Sequence, residues 1–170
     1  MLGFRGEAGL ALLKFMLETK PTDRLTHQII GAAIEVHQAF GPGVFEKVNA
    51  AALAVALEDR RLRFQTEVPV YALFKGRKLG RAYLIDFVVE DLVAVEVKAV
   101  DGVSPIHLAQ AITYVRLAGL PAGLLINFNV KRLVDGVRRI VNDRPNRKFN
   151  ELATPNDPDD ASAERIIVLP

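Results

Sequence analysis

The stretch LIDFVVEDLVAVEVKAV, residues 84–100, reads as two strands, with charged residues at positions where apolar ones are expected. Glu96 and Lys98 are separated by one residue, so strand alternation places both side chains on one face, between valines that face the other way. Asp86 lies in the preceding strand. A two-residue turn at 90–91 would put Asp86 on the wrong face, whereas a three-residue turn at 90–92 places it directly across from Glu96. We therefore predict a three-residue turn and the convergence of Asp86, Glu96 and Lys98.

Such a convergence predicts a metal site. Two carboxylates a few ångströms apart repel each other, and a hard divalent cation such as Mg²⁺ or Mn²⁺ offsets this repulsion by taking their oxygens as ligands. A lysine beside that ion orients or deprotonates an attacking water and stabilises negative charge on a phosphate. The spacing also fits an alternative, an edge-strand salt bridge between Lys98 and Glu96 or Asp86 that faces water.

The segments around this stretch predict an α/β sandwich with a mixed sheet. Residues 25–40 and about 45–60 read as helices separated by Gly41-Pro42-Gly43. The apolar stripe of the second helix is predicted to contain Phe45, Val48, Ala52 and Ala56.

Strand-like runs follow at 63–74, 81–89 and 92–100 and predict an antiparallel meander. Ser104-Pro105 marks the start of a helix that runs to about residue 117. Residues 122–130 read as a buried fourth strand, and 131–142 as a closing amphipathic helix. Asn127 and Asn129 end the fourth strand, where a polar group closes the site or caps the next helix.

Composition narrows the function classes. The chain has 170 residues, of which 50% are hydrophobic and 25% charged, as in one soluble domain. The absence of cysteine excludes disulfides, thiolate zinc sites, iron–sulfur clusters and cysteine nucleophiles, and it fits a reducing compartment. The longest uncharged apolar stretch is about half the roughly 20 residues that span a membrane. We expect a cytoplasmic protein that does not enter a membrane.

The two ends differ from the middle of the chain. Residues 1–21 read as an appended amphipathic helix closed by Pro21, residues 22–142 as the domain, and residues 143–170 as a tail rich in proline and aspartate. The final IIVLP is apolar, and we expect it to dock as an edge strand on this chain or on a neighbour. The terminal segments are therefore candidates for contacts in a homo-oligomer.

Five sequence segments, in this order, carry a resemblance to a known family: IIGAAIEVHQAFGPGVFEKVNAAAL (29–53), LIDFVV (84–89), AVEVKAV (94–100), SPIHLAQAITYVRLAGL (104–120) and GLLINFNV (123–130). The chain from 25 to 142 resembles the bacterial GxxExxY proteins, a branch of the PD-(D/E)XK nuclease-like superfamily. This resemblance implies a restriction-endonuclease-like core, α-β-β-β-α-β, with helices flanking a mixed central sheet. It also implies that the acid of the second strand, Asp86, and the E-x-K of the third, Glu96 and Lys98, form the metal site.

The motif that gives the family its name falls on Gly43 and Glu46, with Asn49 where the tyrosine stands. Loss of that tyrosine puts any role of its hydroxyl in doubt. Glu46 is a candidate third metal ligand, and the alternative is an acid favoured in the first turn of a helix by the helix dipole. Asp86 follows Ile85 rather than proline, which leaves the carboxylate unchanged.

Gln110 and Tyr114 are spaced i, i+4 on the helix after the E-x-K strand, opposite the predicted apolar face. They resemble the Q-x-x-x-Y signature of RecB-like nucleases, in which the pair faces the active site. The resemblance implies that Gln110 orients a water or phosphate and that Tyr114 contacts the nucleic-acid backbone. The alternative is a solvated helix face. His37, on an apolar face, is predicted to be a partly buried histidine with a hydrogen-bond partner.

These features predict a Mg²⁺- or Mn²⁺-dependent nuclease that acts on DNA, or less readily on RNA. Asp86, Glu96 and Glu46 are the predicted metal ligands, Lys98 assists the attacking water, and Gln110 and Tyr114 support them. The alternative is a catalytically inactive module of the same fold that binds nucleic acid or protein. With 7% aromatic residues, the sequence shows no evident platform for base stacking.

Overall fold

Helices and strands alternate along the chain as they do in an α/β domain. The structure, a computed structural model, describes residues 20–75, 77–143, 145 and 166–167. The helices are α1 (Pro21–Phe40), α2 (Glu46–Asp59), α3 (Pro105–Leu117) and the short α4 (Leu133–Gly136). The strands are β1 (Phe64–Phe74), β2 (Arg77–Val89), β3 (Val93–Lys98), β4 (Ala122–Asn127), β5 (Val137–Val141) and β6 (Ile166–Ile167).

The strands form one mixed sheet in the order β5-β4-β3-β2-β1-β6. Strands β3 and β4 are parallel, and every other neighbouring pair is antiparallel. A parallel pair needs a long crossover connection, which α3 provides between β3 and β4. The predicted α/β class, with a restriction-endonuclease-like arrangement of a mixed sheet between helices, is confirmed.

The turn between β2 and β3 sets the register of the two strands that carry Asp86 and Glu96. Val89 pairs with Val93, Val88 with Ala94 and Phe87 with Val95, which leaves residues 90–92 as a three-residue turn. Two of its residues, Glu90 and Asp91, adopt left-handed φ values of 52° and 54°. The predicted three-residue turn is confirmed, and its register carries Asp86 toward Glu96.

Two apolar layers sandwich the sheet. One layer lies between the sheet and helices α1 and α2, and the other lies between the sheet and α3. Strand β1 contributes to both, because Phe64 belongs to the first layer and Val68 to the second. Residues four apart on a regular strand share a face, so the alternation is interrupted between them. The interruption coincides with Glu67, whose φ is 51°.

The closing segment differs from its prediction, because 131–142 is not one amphipathic helix. Only Leu133–Gly136 is helical, and Val137–Val141 is a strand that pairs antiparallel with β4 along its length. Strand β4 is fully buried, and without β5 its outer backbone groups would lack partners. Tertiary pairing therefore outweighs the helical spacing of the side chains.

Helix α2 also turns a different face to the core than predicted. Its buried residues are Asn49, Leu53, Ala56 and Leu57. Of the predicted stripe, Ala56 is buried, but Phe45 is 79% exposed and Val48 is 38% exposed. The helix packs through a stripe rotated by about one residue from the predicted one, because the sheet lies on that side.

The ends of the described chain bear on two further predictions. Pro21 is the first residue of α1, and the predicted helix before it lies outside the described residues. Ile166 and Ile167 pair with Gln65 and Phe64 on β1, so the predicted edge strand forms on this chain. The rest of the 146–170 tail lies outside the described residues. No described helix is both long and apolar enough to cross a membrane.

Candidate active site

Asp86 lies where β2 and β3 separate, one residue beyond their last paired residues, Phe87 and Val95. The backbone N–H of Val97 donates to Asp86 Oδ2 at 2.7 Å. A side-chain oxygen thus accepts a hydrogen bond that a strand carbonyl would accept in a continuing ladder. Burial raises the pKa of Asp86, and the Val97 N–H and Lys98 oppose that rise.

Glu96 and Lys98 share the α3 side of β3, as strand alternation predicts. Lys98 Nζ donates to Glu96 Oε1 at 2.8 Å, and Glu96 is only 7% exposed. Glu96 Oε2 is buried and makes no hydrogen bond to the described residues. Burial, and next the charge of Asp86, raise the pKa of Glu96 to about 7. An unpartnered buried carboxylate oxygen is costly, and this atom is available to a ligand outside the chain.

Lys98 is a cation at this site. Burial acts to lower its pKa, but the hydrogen bond to Glu96 and the surrounding carboxylates outweigh burial and hold the pKa above its ordinary value. Its ammonium group contacts two acids, because Glu96 Oε1 is 2.8 Å and Glu46 Oε1 is 3.9 Å from Nζ. Lys98 is therefore protonated at neutral pH.

Glu46, the first residue of α2, reaches the edge of this group with a half-exposed side chain. Within the part of the chain that the structure describes, no group of three or more acidic or histidine side chains is placed so that it could hold a metal ion. Asn49 Nδ2 donates to Val44 O at 3.2 Å and so joins the first turn of α2 to the loop before Glu46. Asn49 thus supports the start of α2, and Glu46 as a ligand stays a prediction.

The sequence predicted that Tyr114 lies on the face of α3 opposite its apolar residues, and this prediction is wrong. Tyr114 is buried with Ala111 and Val115, and its ring packs on Tyr83 with centroids 4.8 Å apart. Burial, and next the charge of Glu96, raise the pKa of Tyr114, which places the ring near the carboxylates. Both Tyr114 and Glu96 line one small cavity. Gln110, one turn earlier, is half-buried, and its role stays a prediction.

A network of asparagines holds the surrounding loops. Asn127 is 1% exposed; its Oδ1 accepts from Val100 N at 3.0 Å and its Nδ2 donates to Val100 O at 2.8 Å. Asn129 Oδ1 accepts from Gly43 N at 3.1 Å, and its Nδ2 donates to Asp101 at 3.0 Å. The network ties the loop before Glu46 to the loop after Lys98. The histidine prediction is also met, since His37 Nε2 is 2.8 Å from Val130 O.

Sequence reasoning missed Glu67 and Tyr83. Thr66 pairs with Phe87 and Val68 with Ile85, so Glu67 lies across from Asp86 on the neighbouring strand. Its exposed carboxylate is among the charges that add to the rise in the Asp86 pKa, after burial and Glu46. The register of β1 against β2 brings Glu67 there, and no spacing in the sequence fixes that register.

The donor set fits a hard divalent cation. Asp86 and Glu96 supply oxygens from adjacent strands, and Glu96 Oε2 lacks a protein partner among the described residues. Mg²⁺ and Mn²⁺ are bound by one or two carboxylates together with waters, so two acids suffice.

Comparison with known proteins agrees with this geometry. A family model described as the PD-(D/E)XK nuclease superfamily matches residues 23–140, from the first turn of α1 into β5. No curated protein and no solved structure matches the chain. The family match spans well over half of the sequence and contains Asp86, Glu96 and Lys98. The chain therefore belongs to the PD-(D/E)XK nuclease superfamily.

Proposed function

We propose that this chain is a nuclease that hydrolyses phosphodiester bonds of DNA, and less readily of RNA, with Mg²⁺ or Mn²⁺ as cofactor. Membership of the superfamily supports a nuclease-type function. The observation that carries the finer proposal is the state of Glu96, which is buried, bonded to Lys98 through Oε1 and without a partner at Oε2.

Asp86 and Glu96 would hold the ion, with Glu46 as a third acid at the edge of the site. When bound, the ion would lower the pKa of a coordinated water and neutralise charge on the phosphate. The Val97 N–H fixes the Asp86 carboxylate through Oδ2, and Oδ1 would be the oxygen that binds the ion. The two acids come from strands of one rigid sheet, so their separation is set by the fold.

Lys98 would act as a cation and hydrogen-bond donor. Its raised pKa keeps the ammonium group charged at neutral pH, so it orients a water or a phosphate oxygen and stabilises the negative charge that develops during hydrolysis. Glu46, 3.9 Å away, restrains the same ammonium group. Gln110 lies on the helix that faces these strands and would contact the attacking water, whereas the buried Tyr114 would line the site beside Glu96 and would not contact the nucleic-acid backbone.

Titration calorimetry of Mn²⁺ into wild type and Glu96→Gln, followed by incubation of both with single- and double-stranded DNA and RNA, tests the proposal. We expect Mn²⁺ binding and metal-dependent cleavage by wild type, and loss of both in Glu96→Gln. Glu58→Gln is a matched control, because it removes a glutamate charge near the C-terminal end of α2, whereas Glu46 lies at the N-terminal end of that helix.

Two results would overturn the proposal. If wild type bound no Mn²⁺, even with nucleic acid present, Asp86, Glu96 and Lys98 would be a structural group of ion pairs. Salt-sensitive nucleic-acid binding that metal does not alter, with no cleavage, would instead identify an inactive binding module.

A further inference from the structure

Two phenylalanine side chains are exposed at the loop that joins α1 to α2. Phe40, the last residue of α1, is 51% exposed, and Phe45, which immediately precedes α2, is 79% exposed. Full burial of a phenylalanine is worth about 1.5–3 kcal/mol, so this position forgoes stability that a core site would supply. Contacts within the described chain therefore do not account for an aromatic ring at position 45.

The loop holds Phe45 in a defined place. Gly41 and Gly43 have φ values of 70° and 87°, a conformation that favours glycine. Gly43 N donates to Asn129 Oδ1, which anchors the loop to the end of β4. Phe45 O accepts from Val48 N at 3.0 Å as the first turn of α2 forms. The ring is thus presented from a backbone that is fixed on both sides.

Phe45 also lies at the edge of the candidate active site. The next residue is Glu46, whose Oε1 is 3.9 Å from Lys98 Nζ, and consecutive Cα atoms are about 3.8 Å apart. The exposed cation Lys47 follows, and the N-terminus of α2 adds a partial positive charge. Proteins bind single-stranded nucleic acid with exposed aromatic rings on which bases stack and with lysines that contact phosphates, and Phe45, Lys47 and Lys98 supply both kinds of group at this end of α2.

We propose that Phe45 stacks on an unpaired base of the substrate, so that this chain prefers single-stranded or frayed nucleic acid to closed duplex. The inference rests on the proposed function for the presence of nucleic acid at the site, and it adds the substrate class. In a closed duplex the faces of the bases are stacked on each other and cannot contact Phe45. The sequence showed no evident stacking platform, since only the fold exposes this ring.

Fluorescence anisotropy tests the inference without catalysis. The parent is Glu96→Gln in Mg²⁺, in which cleavage is not expected, and the probes are labelled oligo-dT and a labelled mixed-sequence duplex. We expect Phe45→Ala to weaken oligo-dT binding about tenfold and to leave duplex binding unchanged, whereas Phe45→Trp retains the affinity. Val55→Ala, which truncates another exposed apolar side chain of α2, is the control and should change neither.

Equal oligo-dT binding by the parent and by Phe45→Ala would overturn the inference. A parent that is dimeric, and that Phe45→Ala converts to a monomer with unchanged oligonucleotide affinity, would overturn it in favour of contact with a second copy. Cleavage by wild type that does not depend on Phe45 would contradict this inference alone. Phe45-dependent binding with no cleavage by wild type would contradict the proposed function alone.

Discussion

Replacing Glu96 by glutamine should stabilise the metal-free protein at high pH. Burial and Asp86 raise the pKa of Glu96 from 4.5 to about 7. Because the folded-state pKa lies above the unfolded value, the folded protein retains a proton that the unfolded chain loses between pH 4.5 and 7. Folding stability therefore falls as pH rises through that window, and the full loss is present above it.

The size of this effect follows from the two pKa values. At 1.36 kcal/mol per pKa unit, the difference between 4.5 and about 7 corresponds to about 3 kcal/mol. Glutamine resembles the protonated acid in shape and charge, so Glu96→Gln escapes this penalty. We expect the variant to exceed wild type by about 3 kcal/mol at about pH 8, and to match it at about pH 4.

Urea unfolding of both proteins in EDTA, across this pH range, measures the difference. The reasoning is refuted if Glu96→Gln is no more stable than wild type at high pH, or if its advantage is the same at low pH. Glu58→Gln should stay within about 0.5 kcal/mol of wild type throughout. Mn²⁺ at a thousand times its Kd should then reverse the order at high pH, because it stabilises wild type by about 4.1 kcal/mol.

Three other substitutions test how the site is held. Gly123→Ala should cost about 1–3 kcal/mol in urea unfolding, because the new Cβ would clash with Val115 Cγ2 between α3 and the sheet. Asn127→Leu should cost about 1–3 kcal/mol for each backbone group that it leaves buried without a partner after β3, and hydrogen exchange should rise there first. Arg63→Ala removes an exposed pair with Glu90 at 2.7 Å, and its cost should stay below about 1 kcal/mol and shrink with salt.

The sequence predicted the centre of the fold well because its signals there are local. Alternation alone places Glu96 and Lys98 on one face, and turn length alone decides whether Asp86 meets them. Local residues mark both ends of the helix Pro105–Leu117, because Ser104-Pro105 stands at its start and Gly119 follows its end. None of these features depends on a distant part of the chain.

The errors occur where a distant partner decides the outcome. The segment Val137–Val141 is a strand because the backbone groups on the outer side of β4 require hydrogen-bond partners. No local sequence pattern indicates this pairing. The exposed ring of Phe45 and the buried ring of Tyr114 were each assigned to the wrong side, because the position of the sheet determines which stripe of a helix is covered. Glu67 escaped notice because its position across from Asp86 depends on the register of β1 against β2.

The change of face within β1 bears on how the domain unfolds. Phe64 packs with α1 and α2, while Val68, on the same strand, packs with α3. Strand β1 cannot leave one apolar layer without removing its side chains from the other. We therefore expect the two layers to unfold in one cooperative transition and not as separate units. The acids Glu67 and Asp86 lie at this crossing point, and the candidate active site is therefore protected by the stability of the whole domain.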